Sequence, residues 1–345
     1  MRLVILITLA TVATAYGFVE DQTVTWNLDR IDQAKAAWPN WNSQNANYDP
    51  ISTGAGSVVY ILSTGIQGSH NNFGPGTIRQ NIIYDFDSNN MPQGADTHGR
   101  GTALAGVVGG SYTGVAIDIE IAIVRIAADP TSANITHVLQ GMQAILDDYK
   151  FRKQYNPTNY LRGVALGSVS LDVRTNPADA DDIENLMLQL VAEDLVVIGG
   201  VGDDDKVDCL DLTPARLYTD NSIIIAGGTN MLDYKDNASN VGECAEVWGP
   251  MEEILSSAIY PNDTDRVDYY TFADHTLAFG LAHVAGVAAI IRGRCPDTPN
   301  YLVGPMVIEY ALENGGTALM PDTDGELGPI IRVASKGEHP ICFTP

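Results

Sequence analysis

The sequence predicts an α/β fold in three layers, a mainly parallel central sheet covered by helices on both faces. Two observations carry that prediction. Several apolar runs show no polar alternation, as expected of strands buried on both sides, and they alternate with segments of helical period. Length is the third observation, because 345 residues are ample to bury a large core.

The elements follow in order. Residues 57–62, SVVYIL, come after the turn sequence GAG and are rich in β-branched and aromatic side chains, so they read as a buried strand. Residues 119–126, IEIAIVRI, make the next strand. From Ile135 to Tyr149 the apolar positions Val138, Met142, Ile145 and Leu146 recur at helical spacing. A strand over 163–171, a helix over 181–194 and strands over 195–201 and 222–228 continue the alternation. Residues 276–293, TLAFGLAHVAGVAAIIRG, are nearly all small and apolar, but they contain His283 and lack a stop-transfer flank. A central helix buried inside the protein is expected there, not a membrane span.

Residues 1–17 carry one early arginine, an apolar run and then small residues, the anatomy of a secretory signal peptide. No linker, repeat or low-complexity tract divides 18–345, which reads as one domain. The expected protein is secreted and extracellular. It carries 43 acidic against 19 basic residues, a formal charge of -24. Such a surface repels nucleic acid and anionic membranes, so neither is an expected partner.

Four cysteines, Cys209, Cys244, Cys295 and Cys342, imply two disulfides in an oxidising compartment, and spacing alone leaves three pairings open. Asn134, Asn237 and Asn262 begin N-glycosylation sequons, whereas the proline after Asn156 excludes that site.

Five motifs then line up: WNLDRIDQ (26–33), SVVYILSTGIQGSHNNF (57–73), DTHGRGTALAGVVGGSYTGVA (96–116), VVIGGVGDDD (196–205) and LAHVAGVAAII (281–291). In content and order they resemble the subtilisin-like serine proteases (peptidase S8), the proteinase K-like branch above all, over almost the whole chain beyond residue 17. The resemblance implies a subtilisin-like three-layer fold and an Asp-His-Ser triad with an oxyanion-hole asparagine. In that triad the serine attacks, the histidine carries the proton and the aspartate orients the imidazole. Matched motif by motif, the aspartate falls on Ser63, the histidine on Arg100, the serine on Ala278 and the oxyanion asparagine on Val201.

Each replacement removes a function. Ala278 has no nucleophile, Ser63 no charge and Val201 no side-chain donor. Arg100, with a pKa above about 12, is never a base at physiological pH. In subtilisin, loss of the triad lowers turnover about a millionfold. The sequence therefore predicts a pseudoprotease that needs no cofactor; the alternative is a serine-type endopeptidase with a noncanonical site. Nearby His98, Thr102, Asp274, His275 and Thr276 are expected to be ordinary loop and scaffold residues, and Arg100 to fill the vacated site by pairing with Asp96 or, as the alternative, by holding a bound anion. Active secreted relatives carry a long propeptide, and the stretch between residue 17 and Trp26 leaves no room for one.

The resemblance implies three more features. Peptides would bind as an added strand between edges near 166–170 and 131–136, so a protein or peptide partner is expected in the former substrate groove, crowded by any glycan on Asn134. The disulfides would pair Cys209 with Cys244 and Cys295 with Cys342. A structural calcium ion would sit on the carbonyls of Asn221 and Ile223 and on the carboxylate of Glu246, a glutamate where the family uses aspartate.

Overall fold

The computed structural model describes residues 24–33, 42, 48–78, 82–87, 94–167, 169–203, 208–260, 263–272, 276–314, 316–320, 325–334 and 342. The signal-peptide segment, Asn262, Asp274 and His275 lie outside the described residues.

Helix α1 (Trp26–Ile31) precedes strands β1 (Ser57–Ser63) and β2 (Tyr84–Asp85), helix α2 (Arg100–Gly109) and strand β3 (Glu120–Arg125). Helix α3 (Ile135–Tyr155), strands β4 (Arg162–Gly167) and β5 (Leu171–Asp172), helix α4 (Pro177–Ala192) and strand β6 (Val196–Gly200) follow. Then come β7 (Leu212–Thr213), β8 (Ile223–Thr229), β9 (Val247–Pro250) and the hairpin β10 (Ile254–Tyr260) with β11 (Asp263–Phe272). Helices α5 (Leu277–Arg294) and α6 (Asn300–Asn314) and strands β12 (Thr317–Leu319) and β13 (Glu326–Pro329) complete the order.

The central sheet has seven parallel strands in the order β2-β3-β1-β4-β6-β8-β9. Helices α2 and α5 pack on one face, α3 and α4 on the other, which gives the expected three layers. Among the described residues the main apolar core draws on positions from Trp26 to Val333, and a small second cluster joins Trp248, Ala318 and Ile330. Strand β1 is buried except at Ser63, its last residue, because neighbours pair with both of its edges and helices cover both of its faces.

The apolar segment 276–293 forms α5 as expected, and it is the only described helix long and apolar enough to cross a membrane. It lies inside the protein, with 83% of its length buried. His283, fully buried on it, bridges Phe279 O through Nδ1 and Asn27 Nδ2 through Nε2, each at 2.7 Å, and so ties α1 to α5.

Three expectations need adjustment. The helix from Ile135 continues to Tyr155, because its last turns are exposed and polar and periodicity no longer marks them. The helix expected over 181–194 begins earlier, with Pro177 in its first turn, where a missing N–H costs nothing. The strand expected over 163–171 stops at Gly167; the chain leaves the sheet, and Leu171–Asp172 pairs antiparallel with β7.

Both disulfides form as the resemblance implied, Cys209–Cys244 and Cys295–Cys342, with Cα separations of 6.2 and 5.4 Å. There are no free cysteines.

Candidate functional site

Strands β3 and β4 lie on opposite sides of β1, so the helical connections around them diverge there. Such a switch point opens a crevice beyond the carboxyl ends of parallel strands. Ser63 ends β1 at that crevice, half-buried, with its carbonyl accepting from Ile126 N at 2.9 Å.

Arg100, the first residue of α2, lines the same crevice. The two segments meet without spacing: a Cβ on Gly101 would lie within bonding range of Gly65 O, so only glycine fits. Gly99, with φ of 105°, makes the left-handed turn that starts the helix. Asp96 then organises the loop. Its Oδ1 accepts from Thr64 Oγ1 at 2.9 Å, His98 N at 3.0 Å and Gly99 N at 2.8 Å. Its Oδ2 accepts from Thr102 N at 2.9 Å and Thr102 Oγ1 at 2.7 Å. Thr64 Oγ1 in turn accepts from Gly101 N at 3.0 Å, and Thr102 Oγ1 from Gln67 N at 2.9 Å. The expected Arg100–Asp96 pair is not formed, because five loop and helix donors fill that carboxylate.

A cavity of about 230 Å³ opens between the end of β1, the start of α2, and residues 126–138 and 169–171. Ser63 and Arg100 both line it. The two expected groove edges also wall it, through Pro130, Ala133 and Ile135 on one side and Val169, Ser170 and Leu171 on the other. Asn134 is exposed between two of these lining residues and caps α3, its Oδ1 accepting from Thr136 N at 2.8 Å. A glycan on this asparagine would stand at the rim. Asn237 is exposed as well.

Ala278 and Val201 are not brought to this cavity. Ala278, the second residue of α5, is 1% exposed, and Val201, just past β6, is fully buried. The N–H of Val201 donates to Ala226 O and its carbonyl accepts from Asn240 Nδ2, each at 3.1 Å. The remaining candidates offer no relay among the described residues. His98 is exposed, Thr276 is buried as the N-cap of α5, and the Thr102 hydroxyl faces Asp96 rather than a histidine. His283 is held neutral, its pKa pulled down to about 4 by burial.

Two contacts bear on the residues expected to hold calcium, Asn221, Ile223 and Glu246. Helix α6 packs against Asn221 O, since a Cβ on Gly304 would clash with it. Glu246 Oε2 accepts from Ile225 N at 2.8 Å. Burial pushes the Glu246 carboxyl up to about 7, against the lowering effect of that hydrogen bond.

Sequence reasoning missed Asp96 as the organiser of the loop, although an Asp before a helix start is itself a capping signal. It also missed the buried pair Arg30–Asp233 and the pair of buried Arg292 with half-buried Asp194, both at 2.7 Å. Their partners are 203 and 98 residues apart, and no local pattern marks them.

No protein-family model matches the chain. The chain is 28% identical over 310 residues to alkaline serine exoprotease A of Vibrio alginolyticus, covering 89% of this chain and 49% of that protein. It is 28% identical over 300 residues to the extracellular serine proteinase of Thermus sp. strain Rt41A, covering 86% and 64%. It is also 27% identical over 282 residues to the subtilisin-like serine protease AsES of Sarocladium strictum, covering 82% and 63%. The chain thus spans about half to under two thirds of the length of these relatives. Among solved structures, the crystal structure of a cold adapted subtilisin-like serine proteinase superposes with a TM-score of 0.70 at 22% identity, covering 91% of this chain and 99% of that one. That likeness concerns the fold.

Proposed function

Starting from a chain homologous to the secreted subtilisin-like serine proteases, we propose that this protein is a catalytically inert member of their fold, secreted, with a binding or structural extracellular role. The observation that carries the reading is Arg100. It stands at the start of α2, lining the same cavity as Ser63, at the position matched to the proton-carrying histidine. A guanidinium there takes no proton from any nucleophile. Ala278 supplies no hydroxyl and Val201 no side-chain donor, and the surrounding threonines are engaged by Asp96 and by backbone N–H groups.

Two disulfides and relatives named as extracellular proteases support secretion. In this reading residues 1–17 are a removed signal peptide and the exposed Asn134 and Asn237 carry glycans. The cavity between the two edge segments is the place for a protein or peptide partner.

The second reading, a serine-type endopeptidase with an unusual site, is favoured by the names of the relatives. A fluorophosphonate probe on the purified secreted protein separates the two. The inert reading expects no labelling and no casein hydrolysis. Stoichiometric labelling, or hydrolysis abolished by replacing a single hydroxyl, would overturn it.

A further inference from the structure

We infer that the outer face of α6 is a self-association surface, on which a second copy of this chain packs its own α6 antiparallel about a two-fold axis. This does not depend on whether the chain is inert, since α6 carries none of the residues matched to the triad.

Helix α6 is apolar on both sides. Val303, Met306, Val307 and Ala311 are at most 2% exposed and face the protein. Opposite them, Tyr301, Pro305, Ile308 and Leu312 fall within about 60° of one another around the helix. Tyr301 is 49% and Leu312 64% exposed, with Pro305 and Ile308 half-buried between them. A helix that is apolar all round is normally covered all round. The spacing of four, three and four residues is that of a seam between two helices.

That spacing reads the same in both directions, so an antiparallel copy meets it in register. Tyr301 of one copy then faces Leu312 of the other, and Pro305 faces Ile308. One patch serves both subunits, as a two-fold interface requires.

Charge favours the same occupant. At a formal -24, two copies repel each other in most orientations. Over its 15 residues α6 holds only two charged side chains, Glu309 and Glu313. The helical period places both to one side of the seam rather than on it. A basic protein would find no acid on the seam itself. The strip is about 22 Å long and about 10 Å wide, well below the roughly 800 Å² per partner of a standard interface. The dimer is therefore weak and reversible, with a dissociation constant on the order of 10 to 100 μM.

Sedimentation equilibrium of the full chain in about 50 and about 500 mM sodium chloride tests this. A monomer–dimer equilibrium is expected, at least about fivefold tighter at the higher salt, where repulsion between the acidic bodies is screened. Tyr301→Lys and Leu312→Glu, both at exposed positions, should each leave the chain folded by circular dichroism and monomeric. Mixing the two variants should restore dimers, because the antiparallel register sets the introduced lysine against the introduced glutamate. An unsubstituted chain that stays monomeric to about 200 μM at both salts overturns the inference without recourse to any variant, even if the face captures phosphatidylcholine vesicles or another protein instead. Dimers that persist in either folded variant, or a mixture of the two that stays monomeric, overturn it too.

Discussion

Asp96 Oδ2 accepts both the N–H and the hydroxyl of Thr102, at 2.9 and 2.7 Å, from a position 1% exposed to solvent. Together with the three donors on Oδ1, this makes one carboxylate the joint between the end of β1 and the start of α2. The loop that presents Arg100 is therefore rigid. Asp96→Ala would strand several buried donors at once and is expected to destabilise the protein by about 3 kcal/mol or more. Urea unfolding followed by circular dichroism measures it. A loss under about 1 kcal/mol would mean that water replaces the carboxylate.

Restoring the hydroxyl alone should not restore chemistry. Ala278→Ser places an alcohol at the start of α5, but Arg100 still takes no proton. Labelling by a fluorophosphonate is expected to stay about a millionfold below that of a working triad. Rapid labelling of this variant would show that another base reaches the position.

Acid should weaken the tie between α1 and α5. The His283 pKa lies at about 4 in the folded protein, against 6.5 as its ordinary value. Between those values the unfolded chain holds a proton that the folded chain does not. The contribution is therefore complete above about pH 6.5 and is lost as pH falls toward 4, on the order of 3 kcal/mol in all. His283→Gln, which still offers a donor and an acceptor, should flatten the pH dependence of unfolding free energy in that window. An unchanged slope would place the acid sensitivity elsewhere.

Glu246 acts in the opposite direction. Its carboxyl is raised from 4.5 to about 7, so its contribution is complete below about pH 4.5 and is lost as pH rises through 7. Glu246→Gln keeps an acceptor for Ile225 N and should raise stability at pH 8 by up to about 2 kcal/mol, with no gain at pH 4. Chelation of calcium should leave the unfolding temperature of the unsubstituted protein within about 1 °C. A fall of several degrees on chelation would return the cation to Asn221, Ile223 and Glu246.

Much of the fold was legible because parallel strands buried on both faces must be apolar throughout. SVVYIL and SIIIAGG therefore identify β1 and β8 without help from neighbours. Strand β4 was read too long for the same reason. Val169 and Leu171 look like strand residues, but they line a cavity and start a different pairing. The hairpin of β10 and β11 and helix α6 were not read, their polar and mixed patterns giving neither period cleanly. Of the site, the sequence supplied the identities: Ser63, Arg100, Ala278 and Val201 could be named from ordered motifs alone. It also supplied the disulfide pairs, through resemblance.

The sequence by itself determined what chemistry the side chains can perform, because an arginine, an alanine and a valine keep their limits in any fold. Only the tertiary structure decided where they stand. It brings Ser63 and Arg100 to one cavity while it buries Ala278 and Val201 away from it. It also decided the partners, filling Asp96 with five donors and turning the Glu246 carboxylate onto Ile225 N. Hydrogen-bond partners and burial are set by residues distant in the chain, so they are properties of the packed molecule rather than of any local run of residues.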